Sequence, residues 1–532
     1  MDASAAVDTP AGEPGTASGV RTPTAREPRV GHAAIAGAIS GGVALAAGEL
    51  FAAVVPGAPS LPVAIGDLII SLQPPGAKQL VVDIFGTADK LALNLLVVAV
   101  ALSAAAGLGV LGRRRPNIAA AGFAAFGLLG LAAALRDPLS DPFLAVVAAA
   151  LAVGVAIAMT RRMLSLAAPP AGQAEMPNWA RRRFLGTAVS FGAMATFGGT
   201  LGRVLVENRR LERAAIVPVP EPVTPAPAPP AGAQLAVDGL SPLVTPNDRF
   251  YRIDTALLVP RPDMSDWRLR LRGLVERPYE LTYADLLAMP MFAQYVTIAC
   301  VSNEVGGDLV GNALWQGVRL RDLLDRAGVR TGATQIVGRA VDGWTAGFPT
   351  AWVATDEREA MVAVAMNGEP LPAAHGFPAR LIVPGLYGYV SATKWLTEIE
   401  LTTLEAFDAY WVPLGWAKEA PIKTQSRIDT PRAGSSVTAG AVAVAGIAWA
   451  PDRGISRVEV QVDEGTWQQA ETSAPISDAT WVQWVYRWTA NAGDHTLRVR
   501  ATDGDGQIQT AEISDPPPDG ATGHHTVSVS VS

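Results

Sequence analysis

Long apolar runs fill the first two hundred residues, and short alternating patterns follow them. An α-helix needs about 20 apolar residues to cross a bilayer, and five runs reach or approach this length. They lie at residues 33–55, 91–111, 118–135, 143–159 and 184–202. A sixth stretch at 68–85 is interrupted by Pro74 and Pro75, which indicates an interfacial or re-entrant piece outside the membrane. The pattern predicts an all-α transmembrane anchor of about five helices at 33–206, after a disordered cytoplasmic N-terminus at 1–32.

The arginines between these runs predict the orientation of the anchor. Three arginines at 113–115 separate the second and third runs, and five at 161–162 and 181–183 separate the fourth and fifth. Because positively charged loops remain in the cytoplasm, we expect a multi-pass cell-membrane protein whose later domains lie on the extracytoplasmic side. The sequence RRRFL at 181–185 resembles a twin-arginine export signal, and it could equally be a positive anchor of the fifth helix.

The pattern changes twice after the last apolar run. Residues 217–232 contain seven prolines, which predicts an extended polyproline II spacer within a linker at 207–234. Residues 235–424 combine strand-like alternation with a helical segment that ends at a glycine, so we expect an α+β domain there. Short strands separated by Gly, Asp and Asn turns occupy 425–532, and they predict an immunoglobulin-like β-sandwich.

Composition narrows the possible functions. The chain of 532 residues is 49% hydrophobic and 17% charged, which is too apolar for a disordered protein and argues against a purely soluble one. A net charge of −7 gives no reason to expect nucleic-acid binding. The single cysteine excludes an intrachain disulfide and any cysteine-built zinc or iron–sulfur site. Five histidines leave little room for haem, so we do not expect a haem-bearing membrane anchor.

Three segments of the α+β region carry candidate chemistry. Cys300 ends an apolar strand and opens the polar loop ACVSNEVGGDLVGN, where a thiolate would be a soft metal ligand. His375, Arg380 and Lys394 surround two glycine turns, and clustered cations with turn amides suit a phosphate-bearing ligand. The segment TPNDRFYRIDT adds an earlier group of polar and aromatic side chains.

Together these motifs resemble the sulfite oxidase family of molybdenum–pterin enzymes. The resemblance rests on the C-x-x-N-x-x-G-G loop, the stretch AMNGEPLPAAHGFPARLIVPGLYG and the closing K-W-L. It covers roughly residues 240–515, and it implies a sulfite-oxidase-type molybdopterin domain with a Mo-molybdopterin cofactor. The five-span anchor is similar to that of membrane-tethered members. The β-sandwich matches the dimerisation domain of the family, which implies a possible homodimer.

The resemblance also assigns roles to residues. Cys300 would be the metal ligand and a catalytic residue, and Arg252 would reach the substrate or the cofactor as a second catalytic residue. Cofactor-binding roles would fall to Tyr251, Arg252, Cys300, Asp342, His375, Arg380, Ala392, Thr393 and Lys394.

Departures from the family pattern leave the substrate open. Arg252-Ile253-Asp254 stands where sulfite oxidases carry R-N-H, and Val-Ser-Asn-Glu-Val follows the cysteine where they carry A-G-N-R-R. Glu304 would therefore replace part of a basic pocket, which puts sulfite in doubt.

We expect a two-electron oxo transfer on a small oxyanion or sulfoxide, or more broadly on a small sulfur- or nitrogen-oxo compound. A separate electron carrier, either a c-type cytochrome or a quinone-linked protein, would exchange the electrons, and the anchor would contact membrane lipid. The alternatives are a cofactor-free extracytoplasmic binding protein on a membrane anchor and a multi-pass transporter with an accessory domain.

Overall fold

The structure is a computed structural model, and it describes residues 27–74, 84–85, 89–169, 176–212, 218–354 and 358–532. The chain divides into two compact units. The first comprises residues 1–48, 98–128 and 150–200, and the second comprises residues 49–97, 129–149 and 201–532. Most of the predicted N-terminal tail lies outside the described residues, and the first helix begins at Val30, within the predicted tail.

Five helices of the described residues are long and apolar enough to cross a membrane, as predicted. A shorter apolar helix, α2 (Leu61–Ser71), overlaps the start of the predicted interfacial segment at 68–85 and ends before Pro74. Residues 75–83 of that segment lie outside the described ranges. Ser60 caps α2, because its hydroxyl accepts a hydrogen bond from the Val63 amide. The helices are α1 (Val30–Val54), α2 (Leu61–Ser71), α3 (Asp89–Gly112), α4 (Pro116–Ala134), α5 (Pro142–Ala167) and α6 (Asn178–Glu212).

Small residues bring two of these helices together within the first unit. A Cβ atom added at Gly37 in α1 would lie 2.1 Å from the Ala105 carbonyl oxygen of α3. One added at Gly109 would lie 2.3 Å from the Ala33 carbonyl oxygen. Glycine at both positions therefore lets the two backbones touch, which is how helices commonly associate in a bilayer.

The proline-rich segment differs from its prediction. Helix α6 continues to Glu212, inside the predicted linker. The described residues 218–234 form hydrogen bonds with other parts of the second unit and are not a free spacer. The backbone of Thr224 pairs with the strand that begins at Phe292, and the Gln316 amide donates to the Pro220 carbonyl. Proline lacks only the N–H group, so its carbonyls and the intervening residues still bond along a sheet edge.

One mixed sheet and one antiparallel sheet form the core of the α+β domain. One has the strand order β2-β1-β10-β5-β6, with β1 parallel to β10. The other has the order β3-β4-β7-β8, and β9 pairs with β7. The elements are β1 (Arg268–Gly273), β2 (Tyr279–Thr282), α7 (Tyr283–Leu287), β3 (Phe292–Ala299), β4 (Val310–Arg319), α8 (Leu320–Ala327), β5 (Gln335–Ala340), β6 (Thr345–Pro349), β7 (Met361–Met366), β8 (Glu369–Pro370), β9 (Arg380–Ile382), α9 (Gly388–Ser391) and β10 (Leu396–Thr402), with 3-10 turns at Thr350–Val353, Ala373–His375 and Val412–Leu414.

The C-terminal region is a sandwich of two sheets, as predicted. Their strand orders are β11-β13-β17-β16 and β12-β19-β18-β14-β15. Apolar side chains from both sheets, including the fully buried Trp484, form its core. The strands are β11 (Gln425–Thr430), β12 (Ser436–Val437), β13 (Gly440–Trp449), β14 (Ile455–Val462), β15 (Gln468–Gln469), β16 (Glu471–Thr472), β17 (Val482–Ala490), β18 (Gly493–Asp503) and β19 (Thr526–Val531). The predicted fold class is therefore confirmed in all three of its parts.

Candidate cofactor cleft

Cys300 lies in the wall of a cleft in the α+β domain. It follows the last residue of β3, and its amide donates to the Leu309 carbonyl, 2.9 Å away. Asn303 closes the same loop, because its side-chain oxygen accepts from the Leu309 amide at 2.8 Å. The thiol is free of any disulfide and is 8% exposed. The strand end and the closed loop thus hold a single thiol at the edge of the cleft.

Arg380 is the first residue of β9 and is buried without a carboxylate partner among the described residues. One terminal nitrogen donates to the His375 carbonyl at 2.9 Å, and the guanidinium lies 4.9 Å from the centre of the Trp315 ring. Its Nε atom has no hydrogen-bond partner within the described chain. Burial lowers the pKa of Arg380 to about 10, so the group is charged at neutral pH. A buried cation of this kind requires an anion.

His375 ends a 3-10 turn beside Arg380. Its Nε2 atom lies 2.8 Å from the Asn247 carbonyl oxygen, so Nε2 carries the proton and donates. Burial lowers the pKa of His375 to about 4, against the opposing effect of that carbonyl, and the ring is neutral at pH 7. Nδ1 is then a buried acceptor, and it has no partner among the described residues. Gly376 follows at φ +114°, and an added Cβ would lie 3.1 Å from Lys394.

Lys394 reaches the cleft from the loop before β10, and it forms an ion pair there. Its ammonium group donates to Asp254 at 2.9 Å and to the Ala374 carbonyl at 3.2 Å. Burial lowers the pKa of Lys394 to about 8, although Asp254 raises it again in part. Arg252 donates to the same carboxylate through Nε at 2.9 Å, so its guanidinium is engaged by Asp254.

Two further predicted residues face the cleft. Burial, and then negative charge on Cys300, raise the pKa of Tyr251 well above its ordinary value, so its phenol keeps its proton. Burial also raises the pKa of Asp342 to about 6, although the Trp344 amide donates to this carboxyl group. The cleft therefore holds a protonated phenol, that of Tyr251, and a carboxyl group, that of Asp342, whose pKa is about 6.

Most of the predicted site residues meet in this cleft. The structure places six of the nine in its lining: Tyr251, Cys300, Asp342, Arg380, Ala392 and Lys394. The lining does not include Arg252, His375 or Thr393. Thr393 Oγ1 is another buried oxygen without a partner in the described residues. Glu304 is exposed and is absent from the lining, so the expectation that it replaces part of a basic pocket is wrong.

The sequence did not single out several residues of the lining. They are mainly apolar or aromatic side chains, together with Asp254: Phe250, Ile253, Asp254, Ile298, Trp344, Tyr389, Trp395 and Trp411. Aromatic residues are common in cores, so their spacing carried no signal. Asp254 could have been found from its place in the RID sequence, where the family pattern has a histidine.

The unpaired buried atoms test whether a molybdopterin fits this site. Three of the predicted cofactor residues, Arg380, His375 and Thr393, each keep a buried polar atom without a partner in the described chain. Such atoms are rare in folded proteins and point to a ligand. A cation, a ring acceptor and a hydroxyl suit the phosphate and the hydrogen-bonding pterin ring, and Cys300 supplies a soft sulfur for the metal. The residues present therefore fit this cofactor.

Comparisons with known proteins define the class. The model of the oxidoreductase molybdopterin binding domain matches residues 256–411, and that of a bacterial Ig domain matches residues 425–499. The cleft thus belongs to a molybdopterin-binding oxidoreductase domain, and the cofactor is the predicted one.

Individual relatives narrow the class to a family. An uncharacterized oxidoreductase of Bacillus subtilis, YuiH, is 37% identical over 154 residues, which are 29% of this chain and 74% of that protein. Human mitochondrial sulfite oxidase is 30% identical over 302 residues, 48% of this chain and 55% of the human protein. The chain belongs to the sulfite oxidase family of molybdopterin-dependent oxidoreductases, and it spans about half the length of the curated sulfite oxidases that it matches first.

Among solved structures, the sulfane dehydrogenase SoxCD of Paracoccus pantotrophus matches 51% of this chain and 75% of its own. The TM-score is 0.45 and the identity is 25%.

Proposed function

We propose that this chain is a membrane-anchored oxidoreductase that uses its molybdopterin for two-electron oxo transfer on a small sulfur- or nitrogen-oxo compound. The observation that carries the proposal is the single thiol of Cys300 in a cleft beside two buried nitrogens, Nε of Arg380 and Nδ1 of His375, that have no hydrogen-bond partner among the described residues. When bound, the molybdenum–pterin group supplies the redox chemistry, and the protein supplies binding, orientation and electrostatics.

The residues of the cleft divide this work between them. Cys300 would ligate the metal, while Arg380 and His375 would hold the phosphate and the pterin ring through their unpaired nitrogens. Tyr251 keeps its proton and can donate a hydrogen bond into the cleft. Asp342 changes charge near pH 6 and can take or release a proton there.

The walls of the cleft favour a sulfoxide or an N-oxide over a charged oxyanion. Phe250, Ile253, Trp344 and Trp411 give it apolar and aromatic surfaces. The cations in its lining are Arg380 and Lys394, and both are assigned to the cofactor. A dianionic substrate would thus meet no further cation in the lining, and a neutral oxo compound would gain from apolar burial.

The location and the partners complete the proposal. From the arginine-rich loops we infer that the α+β domain lies on the extracytoplasmic side of the cell membrane. The electrons would come from or pass to a separate carrier, either a c-type cytochrome or a quinone-linked membrane protein. The proposal also includes a homodimer whose two chains contact each other through the β-sandwich, and this part rests on the resemblance to the family.

Metal analysis and a substrate screen test the proposed function together. Full-length protein from a molybdenum-replete host should hold about one molybdenum and one pterin per chain. It should turn over sulfoxides or N-oxides with artificial electron donors faster than it oxidises sulfite with artificial acceptors. Protein without molybdenum from such a host would contradict the proposal and favour a cofactor-free binding protein. Faster turnover of sulfite would overturn the preference for neutral substrates.

A further inference from the structure

Asp254 is a buried carboxylate shared by three cations, and one of them comes from an apolar helix. Lys90, in the first turn of α3, donates to Asp254 at 2.6 Å. Lys394 and Arg252 donate to the same carboxylate, each at 2.9 Å. All four residues belong to the second unit. The side chain of Asp254 is 6% exposed, so these cations replace most of its contact with water.

The three cations divide the two oxygen atoms of Asp254 between them. Lys90 binds Oδ1, whereas Lys394 and the Arg252 Nε bind Oδ2. Lys90 also donates to the Ala256 carbonyl at 2.8 Å. It therefore fixes both the carboxylate and the backbone that carries it, while Lys394 binds the opposite oxygen. If Lys90 is removed, the cationic group that still contacts Oδ1 of Asp254 among the described residues is the guanidinium of Arg252, whose terminal nitrogen lies 3.4 Å from that oxygen.

A second helical segment holds the same stretch of backbone. The Leu257 amide donates to Asp67 of α2 at 3.4 Å. Leu257 also packs closely on this helix, because a Cβ added at Gly66 would lie 2.4 Å from its side chain. Residues 254–257 are thus bound by α2 and by the start of α3, and Asp254 and Thr255 of this stretch line the cleft.

The group as a whole carries excess positive charge. Three cations surround one carboxylate, and Arg380 adds a fourth cation to the cleft without a carboxylate of its own among the described residues. Burial of like charges is costly unless an anion offsets them, and the phosphate of the cofactor is an anion of this kind. Lys90 contributes one of these charges and also restrains the counter-ion of Lys394.

We propose that Lys90 is a positioning residue of the cofactor site, which acts through Asp254 on the ammonium group of Lys394. The apolar helices then contribute to cofactor retention as well as to membrane anchoring. This inference rests on the proposed function, since it takes Lys394 as a cofactor contact.

Pterin retention in the full-length protein tests this proposal without measuring turnover. Lys90→Met should lose pterin about tenfold faster than wild type after dilution into cofactor-free buffer, as followed by the fluorescence of the oxidised pterin. Lys90→Arg keeps the charge and should stay within about twofold of wild type. Lys423→Met is the matched control, because Lys423 also binds one carboxylate and one carbonyl, at Asp519 and Gly520. Its exposure of 28% is close to the 31% of Lys90, and its loss rate should not change.

A double-variant comparison separates positioning from a general structural effect. In a Lys394→Met background, adding Lys90→Met should change the pterin loss rate by less than about twofold, because the residue through which it acts is gone. An equal acceleration in both backgrounds, or none in either, would overturn the proposal. If far-UV circular dichroism shows that Lys90→Met is unfolded, Lys90→Gln takes its place. A wild-type protein without pterin would instead refute the proposed function itself.

Discussion

Two arginines of the second unit, one in the sandwich and one in the cleft, differ in how the protein satisfies their hydrogen bonds. Arg427, in β11 of the sandwich, donates to Asp429 through Nε at 2.7 Å. Its terminal nitrogens donate to the Gly307 carbonyl at 2.7 Å and to the Ser241 hydroxyl at 2.9 Å. Arg380, in the cleft, has one carbonyl partner at 2.9 Å and an Nε without any among the described residues. A carboxylate of the protein neutralises the guanidinium of Arg427. The guanidinium of Arg380 has no such carboxylate among the described residues and is available to an anionic ligand.

This difference separates structural charges from functional ones. Removing one partner of a largely buried ion pair lowers stability, because it leaves the other partner uncompensated. A buried cation that lacks an anion costs stability in the free protein and recovers it when a ligand binds. Removing a group from the sandwich should therefore alter stability, whereas removing one from the cleft should alter the cofactor or turnover.

The largest effect should come from the thiol of the cleft. Cys300→Ser replaces a soft metal ligand by a harder oxygen, and we expect turnover to fall about a thousandfold or more. That loss corresponds to roughly 4 kcal/mol of transition-state stabilisation. Pterin content and the unfolding temperature should stay close to wild type, since the other cofactor contacts remain.

Cys300→Ala should behave in the same way as Cys300→Ser. Wild-type turnover with molybdenum bound in either variant would show that Cys300 is not the ligand. Unfolding of both would make it an ordinary core residue.

Reciprocal arginine variants test the comparison directly. Arg427→Met leaves the carboxylate of Asp429, whose side chain is 8% exposed, without its cation, and should lower the free energy of unfolding by about 3 kcal/mol. Pterin bound per folded chain should not change. Arg380→Met removes a cation that has no carboxylate partner in the described chain, so the cofactor-free protein should be as stable as wild type or more so.

The same Arg380 variant should release pterin about thirtyfold faster than wild type. Chemical denaturation of the cofactor-free proteins and pterin release from the loaded ones give the two measurements. Similar destabilisation by both substitutions, with no difference in pterin release, would remove the distinction between the two sites.

The smallest effect concerns the acidic group of the cleft. Because burial raises the pKa of Asp342 from its ordinary value of 3.8 to about 6, its ionised form costs stability. The cost is absent at about pH 3 and below, where the carboxyl group is protonated in both states. It grows as the pH rises and is complete above about pH 6. Asp342→Asn retains an oxygen that can accept from the Trp344 amide, so it should stabilise the cofactor-free protein by about 3 kcal/mol at pH 7.5.

At about pH 3, where the carboxyl group of Asp342 is protonated in both states, the Asp342 variant and wild type should unfold at nearly the same denaturant concentration. The exposed Asp515 supplies the control, and Asp515→Asn should have no effect at either pH. A stabilisation by Asp342→Asn that does not depend on pH would exclude the ionisation of Asp342 as its cause.

Local patterns in the sequence determined most of the architecture. The length of the apolar runs predicted five long helices, and alternating residues with turn signals predicted the sandwich, because burial of apolar groups follows the period of each element. The loop around Cys300 and the stretch through His375 and Arg380 identified the family and its cofactor. These signals lie within single segments, so they can be read without knowledge of the fold.

Tertiary structure alone decided how the charged groups of the site are paired. Arg252 is predicted to reach the substrate or the cofactor, and the fold adds a bond from its guanidinium to Asp254 two residues later. Lys90 and Lys394 lie 164 and 140 residues from that carboxylate in the chain, and no local pattern connects them. The proline-rich segment likewise bonds to the sheet edge at Phe292. Ion pairs and edge contacts depend on which segments the fold brings together. The free-energy cost of burying a charge is then offset by an oppositely charged group that the fold places beside it.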